Sequence, residues 1–515
     1  MISLLLNKTK NISIITFQLG SVLLAMLLAA QIQYIQHGWI NPDSVLYFES
    51  ARLFALGEWQ QGFKVFQWPL YALLIAFTHQ ITTLEIQTSA QLLSMIFFGI
   101  TTASFLKIIE LAGGGKNVMC AGILILFSSN YLVGDVLEML MRDQGFWAFF
   151  LMSLVFFIRF YKNRNYLDAF FWQVYMITAT LFRIEGITYL IALPLMLFFD
   201  QKQLLAQSVI DFLKSNFLNI SLIILMIAAL MLNIIPIESF GRLNEILTIN
   251  DQLTEKLFAQ SAIMGTHVLG QYLDEFALPG ILLTFVYVLI IKTIHATGYV
   301  NVGLAVLTIR SKPALLDDKV AKVLNIAAVI ALINMALIIT KVFVLSGRYV
   351  LALSLILMIF ASFYFGAIFK HLQTSSQTNK KMKWLVIALI AFMSLSLVKN
   401  ILPKRDGYNY VQDAVTWLNA KNSSKKPVFY DDTRARYYAG APFIGTWEDN
   451  WAILKKSIEN GDIHQYEYLV INHALKHSDR EQQLAQKIPQ FTPIKKFSDA
   501  NHKKSIVIYQ RNTSR

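Results

Sequence analysis

Long apolar runs are the feature that most constrains the fold of this chain. A helix needs about 20 apolar residues to cross the roughly 30 Å hydrocarbon core of a bilayer. A water-soluble globular protein is excluded, because 15% of the residues are charged and the mean hydropathy is +0.49, whereas soluble domains carry about 25% charged residues. We predict eleven membrane-spanning helices, over residues 11–31, 86–106, 117–134, 144–158, 166–182, 184–199, 216–235, 276–291, 323–340, 349–369 and 384–398.

Residues 166–199 form one apolar run that is too long for a single span. As one helix it would be about 51 Å long at ~1.5 Å per residue. It would also place Arg183 and Glu185 near the middle of the bilayer, where charges are costly. We therefore predict two spans joined by a tight turn at residues 182–186. Residues 69–77 are too short to cross and are expected to dip into the membrane interface.

The C-terminal part of the chain has a different composition. Residues 399–515 hold 19 basic and 12 acidic side chains, so we predict a transmembrane domain over residues 1–398 and a soluble domain over 399–515. Three alternating apolar segments predict short strands, and two amphipathic stretches predict helices. The expected tail is therefore a small α/β domain, with strands near 426–431, 467–472 and 504–509 and helices near 410–420 and 450–458.

The distribution of charge predicts the orientation. With the N-terminus inside, the predicted cytoplasmic stretches hold 18 basic and 6 acidic residues, whereas the external loops hold 8 and 14. This asymmetry follows the positive-inside rule, so the net charge of +13 does not require nucleic acid as a partner. Residues 1–31 lack a small-residue cleavage site after the apolar run, so an uncleaved first span is expected. Eleven spans then place the tail outside, as in a bacterial inner-membrane protein with an extracytoplasmic C-terminal domain.

Two external loops are long, residues 31–85 and 236–275, whereas the cytoplasmic loops are short apart from 292–322. In the first loop, Asn41 and Asp43 offer a helix N-cap and Gly57 offers a stop. The segment between them has an apolar face and is expected to form a helix lying in the membrane interface. In the simplest interpretation, Asp43 is only the N-terminal cap of this helix.

The same loop resembles that of a known enzyme class. Asp43 is followed by Tyr47, an Ala51-Arg52 pair, Gly57 and the segment Trp68-Pro69-Leu70-Tyr71. This order resembles the first external loop of the GT-C membrane glycosyltransferases, the class of the protein mannosyltransferases and the lipid A aminoarabinose transferase. The resemblance covers most of the chain, with similar numbers of spans, a large first loop and an external C-terminal domain. Ser44 stands where the mannosyltransferases have Glu, and Trp68 where the class usually has Pro.

The resemblance extends to three further external positions. Arg142-Asp143 before the fourth span resembles the Asp of the second external loop in the class. Arg183 at the tip of the predicted hairpin, close to Glu185, stands where relatives have Lys or Arg. Arg348-Tyr349 resembles the Arg-Tyr pair before a late helix.

The resemblance implies a sugar transfer on the outer face of the membrane. The donor would be a polyprenyl-phosphate sugar, and the acceptor a hydroxyl of a lipid, a polysaccharide or a protein. Asp43 would be the catalytic base, with Asp143 as a second catalytic carboxylate. Arginine binds phosphate bidentately; the expected phosphate ligands are Arg183, Arg348, Arg142, Lys64 and Arg52, and the expected substrate contacts are Tyr47, Glu185 and Tyr349.

Three alternatives remain open. The external arginines can be headgroup anchors at helix ends. An O-antigen ligase or polymerase also uses lipid-linked sugars outside the cell, although its large functional loop lies late in the chain. An ion-coupled transporter would place ionisable residues near the middle of its spans, and the predicted spans show none there. No cofactor is expected, and the sequence leaves a requirement for divalent metal open.

Overall fold

The fold is described from a computed structural model. The structure describes residues 13–36, 39–199, 204–232, 249–270, 272–311, 313, 315–374, 380–403, 409–445, 447–474 and 479–512. Contacts divide the chain into two compact units. The first comprises residues 1–32, 66–137 and 141–401, and the second comprises residues 33–65, 138–140 and 402–515. Part of the second predicted long loop, residues 236–248, lies outside the described residues.

The chain is mostly α-helical up to residue 401. In chain order the helices are α1 Ile14–Ile35, α2 Pro42–Ala55, α3 Trp59–Val65, α4 Leu70–Thr82, α5 Ile86–Leu111, α6 Lys116–Phe127, α7 Arg142–Asn163, α8 Tyr166–Phe182, α9 Gly186–Ala192, α10 Leu205–Met231, α11 Ile249–Met264, α12 Ala277–Thr297, α13 Tyr299–Ser311, α14 Asp318–Val342, α15 Leu351–Thr374 and α16 Lys380–Ile401. A π-helix, Asn130–Val136, follows α6, and a 3₁₀ turn, Gly347–Val350, precedes α15.

The long apolar helices identify a multi-pass membrane protein. Within the described ranges, eight helices are long and apolar enough to cross a bilayer. The broken pair made by α6 and residues 130–139, bent by 44°, would be a ninth. These nine match nine of the predicted spans. The other two, 166–182 and 184–199, are helical but short, and the count of eleven stays a prediction.

The break expected near residue 183 is present. The helix α8 ends at Phe182, and Arg183 has an extended backbone with φ −148° and ψ 128°. The next helix begins at Gly186. The long run therefore forms two elements, as predicted.

The prediction of one long cytoplasmic loop over residues 292–322 is wrong. Much of the segment is helical, and Thr297 donates to Ser354 at 2.9 Å, which places residues near 297 at the same end of α15 as Arg348, a residue predicted to be external. Residues up to 297 belong to α12, and α13 packs along α15. The Thr308 hydroxyl donates to the carbonyl oxygen of Phe360 at 2.7 Å, and the Tyr364 amide donates back to Thr308 at 3.2 Å. The sequence concealed this helix because it is only 13 residues long and is interrupted by polar side chains.

Two of the apolar helices carry a buried carboxylate near one end. The helix α10 includes Asp211, which is fully buried and pairs with Arg164 at 3.0 Å. In α8, Asp168 pairs with Arg159 at 3.0 Å. These carboxylates lie near the helix ends, and their arginine partners offset the cost of burial.

The tail contains the expected small α/β fold. Its elements are α17 Tyr410–Lys421, β1 Val428–Tyr430, α18 Thr433–Tyr438, α19 Trp447–Glu459, β2 Tyr468–Ala474, α20 Asp479–Lys487, β3 Phe491–Ser498 and β4 Lys504–Arg511. The strand order is β1-β2-β4-β3, with β1 and β2 parallel and the other pairs antiparallel. The core lies on both faces, because alternate residues of β2 and β4 pack against α17 on one side and against α19 and α20 on the other.

Strand β3, Phe491–Ser498, is not among the strands predicted from the sequence. It carries Pro493, Lys495 and Lys496 and has an irregular register between Pro493 and Lys495. Proline and lysine suit an edge strand, where an amide is not needed for pairing and charge discourages aggregation. These same residues hide the alternating apolar pattern.

Buried charges follow strand β1. The Asp432 side chain caps α18 by accepting from the amides of Arg434 and Ala435. Burial alone would raise the pKa of Asp432, but Arg434 and these amides lower it. Its neighbour Asp431 lies 3.5 Å from Arg480; burial raises the pKa of Asp431 to about 7, and Arg480 only partly opposes the shift.

The raised pKa of Asp431 predicts a pH-dependent stability of the tail domain. An unfolded Asp titrates near 3.9, so between about pH 4 and pH 7 the folded state binds more protons and the domain loses stability as pH rises. The loss is at most about 4 kcal/mol, from roughly three pKa units. Asp431→Asn should flatten this dependence in hydrogen exchange of β1 and β2 measured from pH 5 to pH 8. Burial lowers the pKa of His473, which adds an opposite slope, so the difference between wild type and variant is the quantity to compare. Identical slopes would contradict the assignment.

Candidate functional site

Three segments that are distant in the sequence meet at one place in the first unit. Asp143 lies in the first turn of α7, Arg183 and Glu185 lie between α8 and α9, and Tyr349 lies in the 3₁₀ turn before α15. Each segment had been singled out separately from the sequence. Their convergence forms the arginine cluster, defined here as Arg142, Asp143, Arg183, Glu185, Arg348 and Tyr349.

The centre of the arginine cluster is the Arg183 guanidinium. It donates through Nη1 to Asp143, through Nη2 to Glu185 at 2.6 Å and through Nε to Glu185 at 3.2 Å. Its carbon Cζ lies 4.3 Å from the centre of the Tyr349 ring. The side chain is 5% exposed and that of Asp143 is 1% exposed. Arg183 is therefore a buried bridge between two carboxylates, which is not how a headgroup anchor is placed.

Local structure holds this bridge in position. The Gly186 amide donates to the Arg183 carbonyl at 3.1 Å, and the Asn334 side chain in α14 donates to the Glu185 carbonyl at 3.2 Å. The helices α7 and α8 approach closely beside the cluster because Gly145 has no side chain there. A methyl group at Gly145 would overlap the ring of Phe182.

The other two arginines are partly exposed. Arg348 approaches Met141 with Nη1 at 2.8 Å from the sulfur atom, and Arg142 lies 5.2 Å from the Phe66 ring centre. Both act electrostatically on Asp143 together with Arg183. Three guanidinium groups thus accompany two carboxylates within the cluster as defined. A third carboxylate, that of Asp135, acts together with Arg348 on the neighbouring Tyr131.

The space inside the arginine cluster is small. Arg183, Glu185 and Arg348 border a cavity of about 10 Å³, together with Tyr189 and Asn334. This is room for about one water molecule. A sugar or a phosphate does not fit within this space.

Asp43 lies in the second unit, in the first turn of α2. The cap of that helix is Asn41, whose side-chain oxygen accepts from the Asp43 amide at 3.0 Å, and Pro42 occupies the first turn. The interpretation of Asp43 as the cap is therefore wrong. The helix ends as predicted, with Gly57 following at φ 79°.

Other contacts fix α2 within the second unit. Ser44 donates to the Met139 carbonyl at 2.7 Å, and Tyr47 is buried. The Ile40 amide donates to the Tyr438 hydroxyl at 3.1 Å, and the ring centres of Phe48 and Tyr437 lie 5.5 Å apart. The apolar face of α2 is thus largely covered by protein.

The remaining two predicted cations are on the surface. Arg52 forms two hydrogen bonds with Glu49, at 2.8 and 2.9 Å, and its side chain is 51% exposed. The hydrogen bond with Glu49 is the main cause of its raised pKa. Lys64 is exposed in the last turn of α3. Neither belongs to the arginine cluster.

Sequence reasoning missed several residues that support the site. Asn334 and Tyr189 border the small cavity, and the Trp68 indole donates to the Thr180 carbonyl at 3.1 Å. Asn334 had one signal, as an amide inside an apolar helix. In the described part of the chain, no group of three or more His, Cys, Asp or Glu residues is arranged to hold a metal ion.

The fold and the site define a multi-pass membrane protein that carries a small α/β domain and a buried arginine–carboxylate cluster. The chain matches no protein-family model and no curated protein.

The burial of the arginine cluster predicts its effect on stability. Arg183→Ala would leave two carboxylates without their bridging charge, and breaking a buried ion pair typically costs about 3–5 kcal/mol. Thermal unfolding in detergent should therefore show a large drop in melting temperature. Arg52→Ala is the control, because an exposed pair contributes at most about 1 kcal/mol. Equal melting temperatures for the two variants would contradict the bridge.

Proposed function

We propose that this chain is a GT-C-like glycosyltransferase. It transfers a sugar from a polyprenyl-phosphate donor to an acceptor hydroxyl at the outer face of the membrane. The observation that carries the proposal is the convergence of residues 142–143, 183–185 and 348–349 in the arginine cluster. These are the positions that the family resemblance had marked in three different loops.

Convergence favours a functional site over separate helix anchors. Anchors would leave each arginine at its own helix end among lipid headgroups. Instead, Arg183 is almost fully buried and joins two carboxylates from different segments. Buried ionisable groups in a membrane protein are expensive, and a cluster that joins three separate segments in this way is a candidate functional site.

The geometry suggests a division of roles among the arginines. The fork of Arg183 is occupied by Asp143 and Glu185, so Arg183 positions the cluster. Arg348 and Arg142 are partly exposed and are not part of the bridge between Asp143 and Glu185. We assign them to the donor phosphate, where guanidinium groups stabilise the charge that develops on the leaving polyprenyl phosphate.

Asp43 is the proposed base. The acceptor oxygen attacks the anomeric carbon, the bond from that carbon to the phosphate oxygen breaks, and the acceptor proton passes to Asp43. Asn41 already caps the helix, so the Asp43 carboxylate is not consumed by that role. Polyprenyl phosphate and the glycosylated acceptor are the products.

The chain segments that make up the second unit support the proposed topology. Residues 33–65, 138–140 and 402–515 form one compact unit, and a bilayer does not pass through such a unit. We therefore propose that residues 33–65 of the first loop and the tail domain lie on the same side of the membrane. The positive-inside rule assigns that side to the exterior.

The alternatives have less support. An ion-coupled transporter would need buried ionisable groups along its spans, whereas Asp168 and Asp211 are paired with arginines near helix ends. A ligase or polymerase acting on lipid-linked glycans would share the arginine chemistry. It would not use Asp43 as a base, and this difference separates it from the proposal.

Asp43→Asn is the direct test of the base. Because Asn41 remains the cap, the variant should fold and yet lose about 10²- to 10⁴-fold in turnover. The assay measures release of polyprenyl phosphate from the sugar-bearing lipid that co-purifies with the protein, in the presence of native membranes as acceptor. Glu49→Gln, on the same helix, is the control and should keep its turnover. Wild-type turnover by Asp43→Asn would contradict the proposed mechanism.

Arg348→Lys tests the phosphate contact. Lysine preserves a long cation at the helix end, which suffices for an anchor, but it lacks the planar fork that binds phosphate bidentately. Loss of one charged hydrogen bond, about 1.5–3 kcal/mol, should weaken donor affinity about tenfold to a hundredfold in a lipid titration. Arg52→Lys should change nothing. If Arg348→Lys and Arg348→Ala both bind donor like the wild type, Arg348 does not hold the phosphate.

A further inference from the structure

Two helix breaks in the first unit border the same cavity. The first follows Phe127, where α6 gives way to Ser128, Ser129 and the π-helix. The second is Gly298, at φ 89°, between α12 and α13. Irregular backbone at membrane depth is tolerated where it is buried in protein or lines a cavity. The two breaks are therefore expected to border a cavity or buried protein, and residues of both line one cavity.

That space, called here the break cavity, has a volume of about 220 Å³. The cavity inside the arginine cluster is about 10 Å³ on the same measure, so the break cavity is far larger and has room for a monosaccharide-sized group. Its polar lining includes Asn130, Tyr131, Asp135, His295, Asn301 and Ser396. Most of these groups are neutral hydrogen-bond donors and acceptors, in helices that are otherwise strongly apolar.

Tyr131 connects the break cavity with the arginine cluster. Its ring lines the cavity and lies 5.4 Å from the His295 ring. Its hydroxyl packs against Gly347, where any Cβ would overlap it. Because Gly347 is followed directly by Arg348, Tyr131 joins the lining of the break cavity to the residue before the phosphate candidate.

The break is also held open by specific bonds. Ser129 accepts the Leu132 amide on its side chain at 3.2 Å, and its carbonyl accepts from Asn400 at 3.3 Å. On the other side, Asn301 donates to the Thr297 carbonyl at 2.8 Å, and Thr297 donates to Ser354 at 2.9 Å. The first three bonds satisfy backbone groups that the interrupted helices leave unpaired, and the fourth joins the end of α12 to α15 through two hydroxyl groups.

We propose that the break cavity binds the sugar of the lipid-linked donor, with the phosphate held beside it at Arg348. This inference rests on the proposed function and specifies where the donor sugar lies. Hydroxyl, amide and imidazole groups match the alternating donors and acceptors of a polyhydroxylated ring. The arginines match the phosphate. Tyr131 contacts both environments, with its ring in the cavity and its hydroxyl at Gly347.

The test fills the cavity without touching the cluster. Ser396→Trp places a large ring in the break cavity, and Ser221→Trp, on the exposed face of α10, controls for the added indole. Native mass spectrometry then measures two lipids on each purified protein: the co-purifying polyprenyl-phosphate sugar and added undecaprenyl phosphate without sugar. We expect Ser396→Trp to lose the sugar-bearing lipid by more than tenfold and to bind undecaprenyl phosphate normally. Ser221→Trp should bind both like the wild type.

His295→Ala is the second variant, because it removes an exposed side chain and cannot crowd the fold. Loss of one neutral hydrogen bond should weaken binding of the sugar-bearing lipid about three- to tenfold and leave undecaprenyl phosphate unchanged. Retention of the sugar-bearing lipid by both variants at wild-type levels would overturn the cavity assignment alone. A wild type that carries no polyprenyl-phosphate sugar would overturn the proposed function together with it.

Discussion

The bridge between Arg183 and its two carboxylates organises the first unit. A buried guanidinium costs several kcal/mol of desolvation, which only close and well-directed partners can offset. Asp143 and Glu185 supply those partners from two separate elements. Because the three charges must stay together, the start of α7 and the turn after α8 are fixed relative to each other. Tyr349 then covers the guanidinium from the turn before α15.

The hydrogen bonds of Arg183 to its two carboxylates limit which arginines are available to bind a ligand. The two carboxylates occupy the fork of Arg183, so the proposed function assigns a phosphate to Arg142 and Arg348. On that proposal the phosphate lies beside the cluster, since the space inside it is about 10 Å³. A sugar needs volume and neutral hydrogen bonds instead. The break cavity provides both, beside Tyr131.

The sequence predicted the features that depend on local patterns. Apolar length identified the membrane helices, and the cost of placing Arg183 and Glu185 in mid-bilayer identified the break after α8. Asn41 and Gly57 marked the ends of α2. What it could not predict depends on partners distant in the chain. The burial of Arg183, the packing of α13 against α15, and the edge strand with Pro493 all follow from tertiary contacts that outweigh local propensity.

The division into two units shows the same limitation. A linear reading separates residues 399–515 from everything before them, yet residues 33–65 and 138–140 belong to the same compact unit as the tail. No local pattern records this association, because it depends on Tyr437 and Tyr438 meeting Phe48 and Ile40.

That association explains how a short helix can hold the proposed catalytic base. An isolated helix of 14 residues is marginal in water, and α2 has that length. Its geometry must therefore come from its cap at Asn41 and from its packing. The tail domain supplies part of that packing through α18, whose own first turn is fixed by Asp432. On the proposed mechanism, the tail domain thus acts on Asp43 by positioning α2, without needing to contact either substrate.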